Sequence, residues 1–196
     1  ILSASTGTPL MVFGTLGQGF GELNKPRGIF VTPAGLVYVA DAGNHRVQVF
    51  GKNPSSPQNY IHYATLGGPI PGNSSDKFNS PTGILVVGDK LYVADTGNAR
   101  IQCYTIAGNA FTFCGTVAYA LSQGGYLDHP MMMAVGPEGF IYVTDQDDTF
   151  KVFDPSFLPW AFVYQCGSQG LDWGQFALPV GIAVDSSRHV YIADNH

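Results

Sequence analysis

Apolar and polar residues change over in short runs along this chain, cut by Gly, Pro, Asn and Asp, which is the pattern of strands joined by turns. One block, Lys25 to Phe50 (KPRGIFVTPAGLVYVADAGNHRVQVF), holds two such runs and most of a third. Pro33-Ala34-Gly35 and Asp41-Ala42-Gly43-Asn44-His45 punctuate it. The block recurs. Its tyrosine, flanked by aliphatic residues and followed by a small residue and Asp, returns as Val37 to Asp41, Leu91 to Asp95, Ile141 to Asp145 and Val190 to Asp194. Upstream of each, an apolar residue stands three places before a proline: Leu23 and Pro26, Phe78 and Pro81, Leu127 and Pro130, Phe176 and Pro179. The prolines are 55, 49 and 49 residues apart, and each lies 14 or 15 residues before its Asp. Self-similarity at a fixed period outranks any local propensity, so four copies of one module account for nearly the whole chain.

The residues of the module, Pro-x-Gly-Ile, then Val-Tyr-Val-Ala-Asp, then Gly-Asn-x-Arg-Val-Gln-Val-Phe, resemble the NHL repeat. The likeness is close in the first unit (Pro26 to Phe50) and in the second (Pro81, Gly83, Ile84, Asp95, Gly97, Asn98, Arg100, Ile101, Gln102). It is partial in the third, where Met132 takes the Gly position and Gln146-Asp147-Asp148-Thr149 replaces the Gly-Asn turn. The fourth follows the pattern through Gly181 to Asp185 and Ala193 to His196. The resemblance implies that each copy forms a four-stranded β-propeller blade. The expected fold is therefore an all-β propeller of four NHL-like blades in one domain, with repeat units at about 23–66, 78–117, 127–166 and 176–196 plus 1–16.

Within each unit the first strand is expected to line the central channel and the second to lie between blades. Outer strands are expected at Tyr60 to Leu66, Phe111 to Val117 and Phe162 to Cys166, and the N-terminal run Leu10-Met11-Val12-Phe13 has the same place relative to its proline. The fourth unit has an inner strand (Val180 to Asp185) and a second strand (His189 to Asp194), and the third strand falls due where the sequence stops. The two ends thus read as halves of one blade. Three solutions follow: the N-terminal segment completes the last blade, it pairs with a neighbouring molecule, or the chain is a fragment of a larger propeller. An unpaired strand edge is a template for association, so one of them is required.

Charge changes this picture more than size does. Hydrophobic residues make up 45% of the 196 residues, enough for a core, but charged residues only 12%, about half the usual share. Such a surface suits a secreted or glycosylated protein, or one covered by copies of itself; sparing use of charge in β-rich repeats is the plain alternative. Nine Lys and Arg against fourteen Asp and Glu leave no basic field for phosphate, which argues against nucleic acid and anionic membrane as partners. No window has the length of a membrane span, so membrane insertion is not expected. Ile1 opens no signal sequence and the chain lacks an initiator Met, which reads as a mature product or a fragment.

Candidate chemistry is sparse. Asp41, Asn44 and Arg46, and their counterparts Asp95, Asn98 and Arg100, stand at the turn between second and third strands; the carboxylate can take turn N–H groups and pair with the arginine, a structural role. Asp145, Asp147 and Asp148 form the densest acidic cluster and are weak candidates for Ca²⁺, lacking the Gly and distal Glu of an EF-hand loop. Among the histidines only His129, directly before Pro130, sits at an inner-strand end. The resemblance extends to the peptide-amidating lyases, which imply a His-ligated zinc in a propeller, but Lys25, Ser80 and Leu178 occupy the positions equivalent to His129. A three-His zinc site is not visible, and neither cofactor nor catalysis is expected.

Cys103 and Cys114 flank a turn at Gly108-Asn109 in a register that sets them directly opposite, so they form a disulfide in an oxidising compartment or remain two reduced core thiols. Cys166 reads as buried or free. Asn73-Ser74-Ser75 is an N-glycosylation acceptor sequence in a Gly/Pro-rich loop. Together these favour an extracellular protein. The expected function is a non-catalytic protein-interaction or self-assembly module; the alternatives are a propeller that grips a peptide or glycan at its channel mouth and, behind it, a metal-dependent lyase.

Overall fold

A computed structural model describes residues 5–7, 12–117, 125–157 and 160–195. The strands in chain order are β1 (Thr15–Leu16), β2 (Glu22–Leu23), β3 (Pro26–Val31), β4 (Val37–Asp41), β5 (Arg46–Asn53), β6 (Ser56–Gly67), β7 (Ile84–Val87) and β8 (Lys90–Asp95), then β9 (Arg100–Ala107), β10 (Ala110–Val117), β11 (Pro130–Val135), β12 (Ile141–Asp145), β13 (Thr149–Asp154), β14 (Ala161–Cys166), β15 (Pro179–Val184) and β16 (Val190–Asp194). Three antiparallel sheets of four strands, β3 to β6, β7 to β10 and β11 to β14, each follow chain order. The fold is all-β and propeller-like. We call these sheets blades 1 to 3, and the two-stranded sheet of β15 and β16 blade 4.

The repeat explains the stacking. Second strands carry apolar residues on both faces, and β4, β8 and β12 are buried at nearly every position because each lies between neighbouring sheets. Tyr38 and Ala40 leave blade 1 to meet Ile84, Leu91 and Val93 of blade 2. Tyr92 and Ala94 meet Met133, Ile141 and Val143 of blade 3 in the same way, and Tyr142 meets Ile182, Val190 and Ile192 of blade 4. The first strands touch in sequence, β3 to β7 to β11 to β15, as channel-lining strands do. The glycine of Pro-x-Gly-Ile exists for that approach: a Cβ on Gly28 would lie 2.1 Å from the Thr82 carbonyl oxygen, and one on Gly83 would lie 2.2 Å from that of Met131.

The expected completion of the last blade by the N-terminal segment is not what the described residues show. β15 and β16 stand as a two-stranded sheet, whereas β1 pairs in parallel with β2. Phe13 lies on blade 1, its ring 4.8 Å from that of Phe50 and 5.5 Å from that of Tyr60. The physical reason is local: the outer face of blade 1 offers Val37, Val39 and Phe50, an apolar floor that Phe13 and Leu23 cover at once. Leu10 and Met11, which carry the rest of the expected strand, lie outside the described residues. No helix among the described residues is long and apolar enough to cross a membrane.

Candidate interaction site

The end of the array that carries the turns is built from the inside outward. In blade 1 the buried Asp41 carboxylate takes a bond of 2.7 Å from Arg46 Nε and of 2.8 Å from Asn44 Nδ2, and it accepts the Asn24 N–H at 2.6 Å. Arg46 then donates to the carbonyls of Gln18, Gly19 and Glu22, fastening the incoming segment. Blade 2 repeats the arrangement with Asp95, Arg100, Asn98 and Asn79 at matching distances, Arg100 donating to the carbonyls of Asn73, Ser74 and Lys77. Pattern reading missed a further member, the buried glutamine that donates to the same carboxylate, Gln48 at 3.0 Å and Gln102 at 3.2 Å.

Blade 3 solves the same problem differently. Its turn is one residue shorter, so Thr149 rather than Arg faces Asp145 in register, and Lys151 falls opposite Val143, where Gln48 and Gln102 face Val39 and Val93. The Lys151 ammonium, 1% exposed, bonds Asp145 at 2.8 Å and also reaches Asp147 and Thr149. Asp148 turns to the next blade and accepts the Leu178 N–H at 3.0 Å. The three aspartates named as Ca²⁺ candidates are thus divided between a lysine and an interblade bond. Among the described residues no group of three His, Cys, Asp or Glu converges as a metal site would. The signal that could have located Lys151 was the shortened turn, which shifts the register of the strand after it.

The residues before the prolines form the rim. Lys25, Ser80 and Leu178 adopt the left-handed conformation, with φ of 49°, 50° and 71°. That geometry aims the Ser80 N–H at His45 Nδ1 of the preceding blade, as it aims Leu178 at Asp148. His129 differs: its predecessor at the corner is Ala99, which has no acceptor, and its N–H goes to Asp145 at 2.6 Å. Its half-exposed ring lies 3.1 Å from Asp128. Between the rims of blades 1 to 3 lies a cleft of about 330 Å³, with Lys25, Arg27, Ser80, Thr82, Thr96 and Gln146 among its lining residues. On the segments entering the same end, Phe20 is 77% exposed and Trp173 fully exposed, each three residues before the apolar anchor of its unit. The Phe20 ring stacks on that of His62 at 5.1 Å, and exposed aromatic rings and a cleft of cationic and hydroxyl groups are each features of recognition surfaces.

Two further sequence candidates lie away from this end or at its margin. Cys103 and Cys114 are joined by a disulfide with Cα atoms 5.3 Å apart. The ladder faces Cys103 with Gly115, however, because a bulge follows Phe113 and moves Cys114 off the expected opposition. Cys166 is a free and exposed thiol, not a buried one. Asn73 is exposed in the loop before blade 2, where its carbonyl holds Arg100.

Comparison with known proteins agrees with the repeat. The NHL repeat profile matches residues 23–50, 78–104 and 176–196, leaving the third unit, in which Met132 and the shortened turn depart from the pattern. NHL repeat-containing protein 2 of Bos taurus is 41% identical over 69 residues, which is 33% of this chain and 9% of that protein. RING finger protein nhl-1 of Caenorhabditis elegans is 42% identical over 64 residues, 33% of this chain and 7% of that protein. This chain therefore matches under a tenth of the length of these relatives. Among solved structures, the periplasmic gluconolactonase PpgL of Pseudomonas aeruginosa superposes with a TM-score of 0.64 at 14% identity, over 86% of this chain and 47% of that one. A catalytically inactive virginiamycin B lyase from Staphylococcus aureus superposes with a TM-score of 0.55 at 15% identity, over 89% of this chain and 52% of that one. At these identities the likeness is one of fold.

Proposed function

We propose that this chain, which carries NHL repeats at residues 23–50, 78–104 and 176–196 and has a propeller-like fold, is a non-catalytic interaction module of an extracellular protein, which takes protein partners or copies of itself. The observation that carries this is the division of labour at the turn-bearing end. Asp41, Asp95 and Asp145 are committed to cations and backbone N–H groups that hold the connecting segments, while Phe20 and Trp173 on those segments are exposed and a cleft lined by Lys25 and Arg27 is left open. Aromatic and Arg side chains at the centre of an exposed surface are what binding energy concentrates on. Sparse charge, an exposed Asn73 acceptor sequence and the Cys103–Cys114 bridge support the extracellular setting. The test is affinity capture from conditioned medium with the wild-type chain and with Phe20→Ala/Trp173→Ala. Partners held by the first and lost by the second support the assignment; identical capture by both sinks it.

A peptide or glycan gripped in the cleft between blades 1 and 3 is the second reading, favoured by its volume and by the hydroxyls of Ser80, Thr82 and Thr96. It predicts that Lys25→Glu and Arg27→Glu abolish binding of a small ligand while leaving capture of folded partners intact. The lactonase and lyase neighbours share the fold alone, and the lyase alternative requires stoichiometric zinc, which metal analysis of the purified protein decides.

A further inference from the structure

We propose that the cleft between the rims of blades 1 to 3 is a carboxylate site, and that its ligand is an acidic segment of peptide. This rests on the reading of that cleft as a ligand site and names the group it takes. The cleft spans the seams of blade 1 with blade 2 and of blade 2 with blade 3, both packed within the described residues. Blade 1 gives it two cations, Lys25 and Arg27, and among the described residues no carboxylate lines it. The acids nearest in sequence are engaged elsewhere. Glu22 takes the Gly19 N–H at 2.8 Å, and Asp41 is buried beneath Arg46, Asn44 and Gln48. Lys25 and Arg27 are exposed and enter no ion pair among the described residues. A concave site lined by one sign of charge concentrates ligands of the other.

The neutral groups decide which anion fits. The Thr82 and Thr96 hydroxyls lie 2.6 Å apart and bond carbonyls of blade 3, Thr82 that of Met131 at 2.9 Å and Thr96 that of Pro130 at 2.7 Å. They are wall rather than contact, and among the described residues no aromatic ring lines the cleft for a sugar face to stack on. Gln146 donates to Met131 Sδ at 3.2 Å, which leaves its carbonyl oxygen to accept a peptide N–H. Ser80 spends its N–H on His45 and keeps its hydroxyl for a ligand. Carboxylates on alternate residues of an extended peptide project to one face, as the two cations stand two residues apart in sequence. The planar guanidinium of Arg27 can hold such a group by two parallel bonds. Two cations suffice for one or two carboxylates, whereas a phosphate backbone calls for a basic stripe. A volume of about 330 Å³ admits side chains of a segment rather than a folded surface.

The test is fluorescence anisotropy with the full chain and labelled, acetylated and amidated hexapeptide pools whose third and fifth residues are both Glu or both Gln, the others being randomised. The Glu pool is expected to bind at least about tenfold more tightly than the Gln pool, and Lys25→Gln and Arg27→Gln each to weaken it about tenfold. Both positions are exposed, so the fold is kept, as circular dichroism checks. Lys52→Gln removes an exposed charge outside the cleft and should change nothing. Glu-pool binding that survives Lys25→Gln/Arg27→Gln overturns the site. Equal binding of the two pools, lost in Gln146→Ala, overturns the carboxylate assignment and leaves the cleft standing as a ligand site. A hyaluronan hexasaccharide bound more tightly than the Glu pool gives the cations to a glycan and overturns the peptide. No binding of any of these probes overturns both the assignment and the cleft reading.

Discussion

Lys151 is the sharpest place to perturb the structure, because blade 3 entrusts to one ammonium what blades 1 and 2 divide between an arginine and a glutamine. Lys151→Gln puts in the residue that the sibling blades use at that register. It leaves the Asp145 carboxylate, which is fully buried, without a cation. Breaking a buried ion pair from one side costs about 3–5 kcal/mol. The lower end applies, because Asp145 keeps N–H bonds from Asp128 and His129, and because Asp147 is 21% exposed and can turn to water. The new amide can also donate to Asp145, as Gln48 and Gln102 do to their own carboxylates. We therefore expect a loss of about 3 kcal/mol, or a melting temperature lower by about 6–12 °C for a chain of this size.

A second substitution tests the reason as well as the size. Thr149 faces Asp145 as Arg46 faces Asp41, so Thr149→Arg added to Lys151→Gln rebuilds the pairing of blade 1. A charge-assisted hydrogen bond is worth about 1.5–3 kcal/mol, and the double variant should recover at least half of the loss. Urea unfolding gives both numbers. Trp160, buried between Tyr92 and Phe153 at the seam of blades 2 and 3, reports on the affected region by its fluorescence. A single variant that loses less than about 1 kcal/mol would show that the cation is not what compensates the buried carboxylate. A double variant no better than the single would show that register is not what sets the pairing.

Other outcomes follow from single residues. Burial pushes the His62 imidazole below the usual histidine value and the Arg46 guanidinium adds to it; the folded state then binds fewer protons, so this contribution to stability is full above about pH 6.5 and falls as pH drops through the folded midpoint. An NMR titration placing the His62 midpoint at or above the midpoints of exposed histidines would refute it. Ala99 holds a left-handed φ of 53°, so Ala99→Gly should stabilise the chain by about 1 kcal/mol, and a destabilised variant in thermal melts would count against that corner. The Cys103–Cys114 bridge closes a short loop, and Cys103→Ser/Cys114→Ser should lower stability by at most about 3 kcal/mol in oxidising buffer, with no difference between the proteins once the wild type is reduced. Secretion from eukaryotic cells should add an N-glycan at Asn73, read as a mass lost on glycosidase treatment and absent from Asn73→Gln.

Spacing made the blades legible because each blade is a local object: a proline, a tyrosine and an aspartate at fixed distances determine three strands before any distant contact matters. The Asp41–Arg46 and Asp95–Arg100 pairs were legible for the same reason, since both partners lie on one hairpin. Lys151 was not, although it belongs to the same network. A turn shorter by one residue moves every later side chain by one place in register, so comparison by counting from Asp145 aligns Lys151 with no partner, and only the strand pairing sets it on Gln48 and Gln102. The bulge after Phe113 hid the placement of Cys114 in the same manner. Completion of the ring is a different kind of unknown. The repeat dictates how one blade meets the next, three times over, but the small rotation at each seam sums around the axis, and no single unit encodes that sum. Within the described array the seam pattern buries Tyr38, Tyr92 and Tyr142 alike, which shows how far a rule written in each unit reaches.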